Sequence, residues 1–259
     1  MWIHETKNPK GTIVIIHGAG EHHGRYRWLI EQFLNSGYHV VIGDLPGQGY
    51  NISHRGYIHT FMEYVLEVEK WIATSHMLKR PTYIVAHSMG ALVAIELMMQ
   101  KRVHIDGLIF SSPSLGIANV PNKFINYGAK IANFFTPTLQ VTTSIRKEVA
   151  TRNDEQIRRD EKDPFILSSV SVHWFRELLR MIERAQEHVL QFPNIPLLIL
   201  QGGNDLVVDR QAVYQWFNQL PSKDKMYKEF PGLYHEVFNE PEKEEVFKYA
   251  HYFLEMHQQ

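Results

Sequence analysis

The stretch Ile84-Val85-Ala86-His87-Ser88-Met89-Gly90 runs an apolar, β-prone segment directly into a serine with small residues two places before and after it. A serine at the carboxyl end of a strand and the start of a helix sits where ligands bind in parallel α/β sheets, and a sharp turn there pushes its oxygen out of the protein. The usual pattern is G-x-S-x-G, because larger neighbours would clash with the adjacent strands. Here Ala86 takes the first glycine position and Gly90 keeps the second. A turn serine without chemistry fits the same spacing, so the reading of Ser88 as a nucleophile depends on partners elsewhere in the chain.

A serine hydroxyl needs a base, and the base needs an orienting carboxylate, expected downstream in the order Ser, Asp, His. Ile199-Leu200-Gln201-Gly202-Gly203-Asn204-Asp205 ends a buried-looking strand with two glycines and an acid, which predicts Asp205 at the same sheet edge as Ser88. Asp209 competes for that role but immediately precedes a helical segment and reads as its N-cap. Phe230-Pro231-Gly232-Leu233-Tyr234-His235-Glu236 follows the last strand candidate with a Pro-Gly turn that can swing His235 over the same edge. The chain has 15 histidines, so position rather than identity singles this one out. Attack on an ester carbonyl also develops an oxyanion, which each preorganised donor stabilises by about 3 to 4 kcal/mol. The predicted donors are the backbone N–H of Met89, directly after the nucleophile, and that of Ala19 in Gly18-Ala19-Gly20.

These residues need a scaffold that brings several strand ends together. Short apolar segments alternate with longer amphipathic ones, the pattern of parallel βαβ units. The predicted strands are Thr12 to His17, His39 to Asp44, Tyr83 to His87, Asp106 to Ser111, Pro196 to Gln201 and Met226 to Phe230. Predicted helices are Tyr26 to Ser36, Phe61 to Ser75, Met89 to Lys101, Arg210 to Leu220 and Glu242 to Met256. In the last, Val246, Phe247, Ala250, Phe253 and Leu254 recur at helical spacing and form one apolar face.

From about Pro113 to Gln191 the rhythm breaks: helical and loop-like patterns appear, with no predicted strand, and this segment reads as an insertion. Phe124, Tyr127, Ile131, Phe134 and Phe135 form one apolar set, and Trp174, Phe175, Leu178, Leu179 and Ile182 a second. They read either as the insertion's own core or as the lining of a pocket over the sheet. Between them, the charged run DEQIRRDEKD reads as a solvated helical face with no assigned role.

Composition excludes several functions. Across 259 residues, 27 Lys and Arg face 28 Asp and Glu, so no field would hold nucleic acid or an anionic membrane by charge alone. The absence of cysteine excludes a disulfide framework, a thiolate nucleophile and a Cys-based metal site. The first residues, MWIHETKNPKGT, lack the blocks of a signal peptide, and no apolar run approaches the roughly 20 residues of a membrane span, so a cytoplasmic location is expected. Glu21, His22 and His23 are adjacent and do not converge as ligands at i and i+4 would. His235-Glu236 lacks the second histidine of a zinc helix, so no metal is expected. Glu21, Arg25 and Tyr26 instead read as the support of the loop behind the oxyanion donors.

Together, HGAGEHHGRY (His17 to Tyr26), AHSMG around Ser88, DLPGQG (Asp44 to Gly49), RGYI (Arg55 to Ile58) and HEVFNEPE (His235 to Glu242) resemble the monoacylglycerol lipase and lysophospholipase group of α/β-hydrolases. The resemblance covers almost the whole chain and is weakest in the insertion. It implies the α/β-hydrolase fold, a mostly parallel central sheet flanked by helices, with a core from 1–112 and 192–259 under a helical cap at 113–191. It further implies a triad of Ser88, Asp205 and His235 that hydrolyses a single-chain lipid ester, monoacylglycerol or lysophospholipid, without metal or organic cofactor. Transient contact of the cap with a membrane surface is a separate open expectation, which the resemblance does not supply. Leu115 and Val207 are candidate substrate-pocket residues, with core filler as the alternative, and Tyr234 either touches substrate or packs under the cap. The departures are Ala86 in the elbow and Gln48, where the group often has histidine.

Rival readings leave different signatures. A dehalogenase or epoxide hydrolase would need a carboxylate at position 88, whereas a thioesterase, peptidase or acyltransferase would keep the whole triad. A non-catalytic lipid-binding module would be marked by loss of a triad residue, and all three are present.

Overall fold

The computed structural model describes residues 1–51, 53–100, 103–118, 136, 138–142 and 147–258. The strands β1 (Trp2–His4), β2 (Gly11–Ile16), β3 (Tyr38–Ile42), β4 (Thr82–His87), β5 (Gly107–Ser111), β8 (Leu197–Gly202) and β9 (Lys225–Phe230) form one sheet in the order β1-β3-β2-β4-β5-β8-β9. All neighbours pair in parallel except β1, which runs antiparallel to β3 with Trp2 opposite Ile42. Every residue of β2, β3, β4, β5 and β8 is buried, which explains why these strands read as continuous apolar runs: a parallel sheet is covered on both faces.

The two-residue alternation sorts their side chains between two cores. Val14, Ile16, Ile84, Ala86, Leu108, Phe110, Leu197 and Ile199 face one cluster, and Ile13, Ile15, Tyr83, Val85, Ile109, Leu198 and Leu200 face the other. Helices α2 (Met62–Met77), α3 (Met89–Gln100) and α7 (Arg210–Gln219) close the first face; α1 (Arg27–Asn35) and α8 (Lys243–Met256) close the second. The α8 stripe is buried at Val246, Ala250, Phe253 and Leu254, as its period predicts. Asp209 caps α7 by accepting from the Gln211 and Ala212 N–H groups, which fulfils the expected N-cap.

The segment between β5 and β8 departs from expectation in two ways. Strands β6 (Gln140–Thr142) and β7 (Ser169–Ser171) pair antiparallel within it, although no strand was predicted there. At three residues each they are too short to show alternation, and their pairing across the insertion is a tertiary event. The other difference concerns α6 (Val172–Glu187), which follows α4 (Lys147–Ala150) and α5 (Asp154–Glu161). Trp174 and Ile182 are buried in the first core cluster, with Phe175, Leu178 and Leu179 packed against it. This apolar set therefore joins the core of the sheet instead of forming a separate one. Burying a side chain of this size contributes about 1.5 to 3 kcal/mol, enough to seat the helix. The set Phe124, Tyr127, Ile131, Phe134 and Phe135 lies outside the described residues.

Candidate active site

Ser88 occupies the junction of β4 and α3 with φ at 51°, the left-handed conformation of a strained elbow. The turn has no room for a side chain at Gly90, where an added Cβ would stand 2.4 Å from the Ile16 carbonyl oxygen. Ala86, in contrast, is accommodated in register between Ile16 and Phe110, so the alanine in the elbow coexists with the turn.

The loops after β8 and β9 meet backbone to backbone. A Cβ at Gly202 would lie 2.0 Å from the Tyr234 carbonyl oxygen, and this approach carries Asp205 and His235 to the Ser88 edge. His235 Nε2 is 2.9 Å from Ser88 Oγ, and His235 Nδ1 is 2.9 Å from Asp205 Oδ2. Asp205 Oδ1 accepts from the Val207 and Val208 N–H groups at 2.8 and 2.9 Å, and Oδ2 accepts from Gln201 Nε2 at 3.0 Å. Burial disfavours the Asp205 carboxylate, but the neighbouring His235 and these hydrogen bonds outweigh it and hold its pKa below the ordinary value. Burial likewise opposes the His235 imidazolium, and the Asp205 charge overcomes it, so His235 lies above the ordinary imidazole value. With a carboxylate at Nδ1, the proton of neutral His235 sits there and Nε2 faces Ser88 as an acceptor.

The loop after β2 is held at every turn. The Leu45 N–H donates to His17 Nε2 at 3.0 Å, leaving His17 Nδ1–H to donate to the Gly18 carbonyl at 2.8 Å. The Gly18 N–H donates to Glu21 Oε2 at 2.8 Å, and the Gly20 N–H to Gln48 Oε1 at 2.6 Å. Between them, the Ala19 N–H has no partner among the described residues. The Met89 N–H lies in the first turn of α3, where no intrahelical acceptor exists. Gln48, a departure from the resembling group, thus supports this loop; its Nε2 also donates to Tyr64 Oη, which receives the Trp174 indole N–H from α6.

Behind the loop, the buried Arg25 guanidinium bonds Glu21, Asp160 and Glu236 together. Glu21 is penalised by burial, yet Arg25, His87 and the Tyr26 hydroxyl hold its pKa down to about 2. Asp160 goes the other way: burial outweighs Arg25 and raises it. One cation does not fully compensate three carboxylates. Asp160 belongs to the charged run expected to be a solvated face, and that expectation is corrected here, because tertiary contact buries one of its acids against Arg25 and places Asp163 2.8 Å from His22. His23 turns instead to Asp44 at 2.9 Å, so the adjacent histidines point to different carboxylates.

Of the remaining candidates, Leu115 is buried in the first core cluster and its carbonyl accepts from Gln186, whereas Val207 is half-buried beside Asp205. Tyr234 is half-buried, its N–H donating to Glu240. Sequence reasoning missed Gln201 and the serine-rich segment after β5. A polar residue ending an otherwise apolar strand was the available signal for the first, and three serines in Ser111-Ser112-Pro113-Ser114 at a strand end for the second. No helix among the described residues is long and apolar enough to cross a membrane.

The profile of the family described as serine aminopeptidase, S33 matches residues 7–242. Phospholipase YtpA of Bacillus subtilis is 46% identical over 99% of this chain and 100% of its own length. Human monoglyceride lipase is 30% identical over 91% of this chain and 78% of its own length. The crystal structure of monoacylglycerol lipase from Paleococcus ferrophilus superposes with a TM-score of 0.89 at 28% identity, covering 99% of this chain and 98% of that one. With the profile spanning most of the sequence and relatives similar end to end, the chain belongs to the serine aminopeptidase S33 family of α/β-hydrolases and is an enzyme of its lipolytic branch.

Proposed function

We propose that this enzyme hydrolyses carboxylic esters of single-chain lipids, monoacylglycerol or lysophospholipid, with Ser88 as nucleophile, His235 as general base and Asp205 as its orienting partner. The observation that carries this reading is the unbroken hydrogen-bonded path from Ser88 Oγ through His235 to Asp205, 2.9 Å at each step. The names of its relatives, a phospholipase and monoglyceride lipases, supply the substrate class.

His235 Nε2 takes the Ser88 proton as Oγ attacks the ester carbonyl, and Asp205 stabilises the imidazolium that forms. The carbonyl electron pair collects on the oxyanion, which the Ala19 and Met89 N–H groups receive. The imidazolium then protonates the departing glycerol or glycerophospho oxygen, and water repeats the sequence on the acyl-enzyme. In this reading residues 113–191 act as the cap over the acyl chain, and Val207, with Leu115 behind it, contributes apolar wall beside the triad. Because such substrates partition into membranes, the cap would meet a membrane surface transiently.

The family description favours one second reading, a peptidase using the same triad. Acid release from p-nitrophenyl esters, monoacylglycerols, lysophospholipids and aminoacyl amides, measured for the wild type and Ser88→Ala, separates them. We expect lipid-ester hydrolysis that falls about a million-fold in Ser88→Ala. Cleavage confined to amides would sink the lipid reading, and a mutant as active as the wild type would sink the nucleophile.

A further inference from the structure

Three contacts join the end of β5 and the segment after it to Ser88. The Ser88 N–H donates to the Ser111 carbonyl at 2.9 Å, and the Ser114 N–H donates to the Ser88 carbonyl at 3.2 Å. The third is between side chains: Ser114 Oγ lies 3.0 Å from Ser88 Oγ. The first two fix the elbow backbone, whereas the third reaches the reacting atom.

Valence assigns the direction of that third bond. When His235 Nδ1 carries its proton toward Asp205, Nε2 accepts the Ser88 O–H, and Ser88 Oγ then accepts from the Ser114 O–H. Ser114 is held in place for this. It follows Ser112, whose φ is 43° and whose N–H donates to the Leu200 carbonyl at 2.9 Å. Past it, the Leu115 carbonyl is tied to Gln186 of α6 at 2.6 Å. Ser114 is itself buried.

We propose that Ser114 is a positioning residue for the nucleophile: its hydroxyl donates to Ser88 Oγ, holds it in the attack rotamer, and accelerates acylation without accelerating deacylation. The proposal rests on the reading of Ser88 as nucleophile. A serine side chain has three staggered rotamers, and His235 tethers it only through the proton that it is about to remove. The Ser114 bond does not involve that proton. It persists through the transfer and strengthens as Oγ takes on negative charge. During acylation the Ser88 proton passes to Nε2, the Oγ–C bond forms, and the carbonyl pair moves to the oxyanion, while Ser114 keeps its own proton throughout. Once acylated, Oγ is an ester oxygen and a weak acceptor, so the bond does not act when water attacks, the step taken here to limit deacylation, and it re-forms only as the C–Oγ bond breaks and His235 returns the proton to Oγ.

The test measures the second-order rate of Ser88 labelling by a fluorophosphonate and the pre-steady-state burst of p-nitrophenol from a p-nitrophenyl ester. It compares wild type, Ser114→Ala and Ser114→Thr, with folding followed by circular dichroism. We expect Ser114→Ala to slow labelling and the burst by about tenfold, with deacylation changed by less than about twofold, and Ser114→Thr to recover most of the loss. A merely structural role would slow both steps together and raise KM. Wild-type labelling by Ser114→Ala, or equal loss in acylation and deacylation, overturns the proposal. A wild type that does not label at Ser88 overturns the nucleophile reading instead. If Ser114→Ala fails to fold, Ser114→Cys, close in size and a weaker donor, must show the same selective loss for the proposal to stand.

Discussion

Two buried polar clusters sit side by side at the carboxyl edge of the sheet, joined by the consecutive residues His235 and Glu236, and they behave as opposites. In the chain of Ser88, His235 and Asp205, each link is a single hydrogen bond whose proton can move, and the central group is raised above the ordinary imidazole value. In the knot of Arg25, Glu21, Asp160 and Glu236, the central group is a guanidinium that never releases its proton at usable pH. On the proposed mechanism, perturbing the first arrangement should cost little structurally and most of the activity. The second carries no mobile proton and ties together the loop after β2, helix α5 and the segment after β9 that carries His235 and Glu236. On the same mechanism, similar burial serves reaction in one case and cohesion in the other, and variants should separate rate from stability.

The largest expected effect falls on the mobile chain. Asp205→Asn keeps the size of the side chain and an oxygen for the Val207 and Val208 N–H groups, but removes the charge that fixes the His235 tautomer. Ester hydrolysis should fall about ten-thousand-fold with little change in melting temperature. The pH profile gives the sign. In the proposed mechanism neutral His235 is the base, so kcat/KM of the wild type should rise with pH through an apparent pKa above the ordinary imidazole value, and in Asp205→Asn any residual activity should rise at lower pH. An acid limb that did not move would deny the Asp205–His235 coupling.

Next comes the knot. Arg25→Met leaves three carboxylates without their cation, and breaking such a buried pair costs about 3 to 5 kcal/mol, a fall in melting temperature on the order of 10 °C. Activity per folded molecule should fall far less than in Asp205→Asn. A wild-type melting curve for Arg25→Met would erase the contrast between the clusters. Linkage sharpens it further. Because Glu21 is depressed to about 2, its contribution is present above its unfolded value near 4.5 and is lost as pH falls toward 2, well away from the range where His235 controls rate.

The smallest effect is predicted for Asp160→Asn. Its carboxyl lies above the ordinary value, so the ionised form is disfavoured in the folded state, and the sign is reversed from Glu21: its favourable contribution exists at low pH and is lost as pH rises through the raised value. Removing that charge while keeping an acceptor for Arg25 should change stability at neutral pH by less than about 1 kcal/mol, measured by thermal unfolding. A loss as large as that of Arg25→Met would show that all three carboxylates are needed equally.

The proposed triad could be assembled from the sequence because each member follows a strand, and the structure places the three within hydrogen-bond distance of one another. Once β4, β8 and β9 are recognised by their apolar runs, the parallel order of the sheet places Ser88, Asp205 and His235 at one edge. The knot was half legible. Glu21, Arg25 and Tyr26 lie within one turn of chain and were read as support for the loop, but Asp160 and Glu236 lie 135 and 211 residues from Arg25. A helix of mostly charged residues looks solvated unless its partner is known, so the sequence DEQIRRDEKD alone presents a free face. The strands β6 and β7 escaped for a related reason: three residues carry no period.

What the sequence by itself determined is the sheet, its flanking helices and the order of the candidate residues Ser88, Asp205 and His235, because burial on two faces writes a periodic apolar pattern and a tight elbow demands small neighbours at fixed spacing. The tertiary structure alone decided which polar groups compensate one another: Asp160 with Arg25, Gln48 with the Gly20 N–H, Gln201 with Asp205 and Ser114 with Ser88. A hydrogen bond or ion pair between distant segments depends on atomic distance within about 3 Å and leaves no repeat in the sequence, so only the folded chain can specify it.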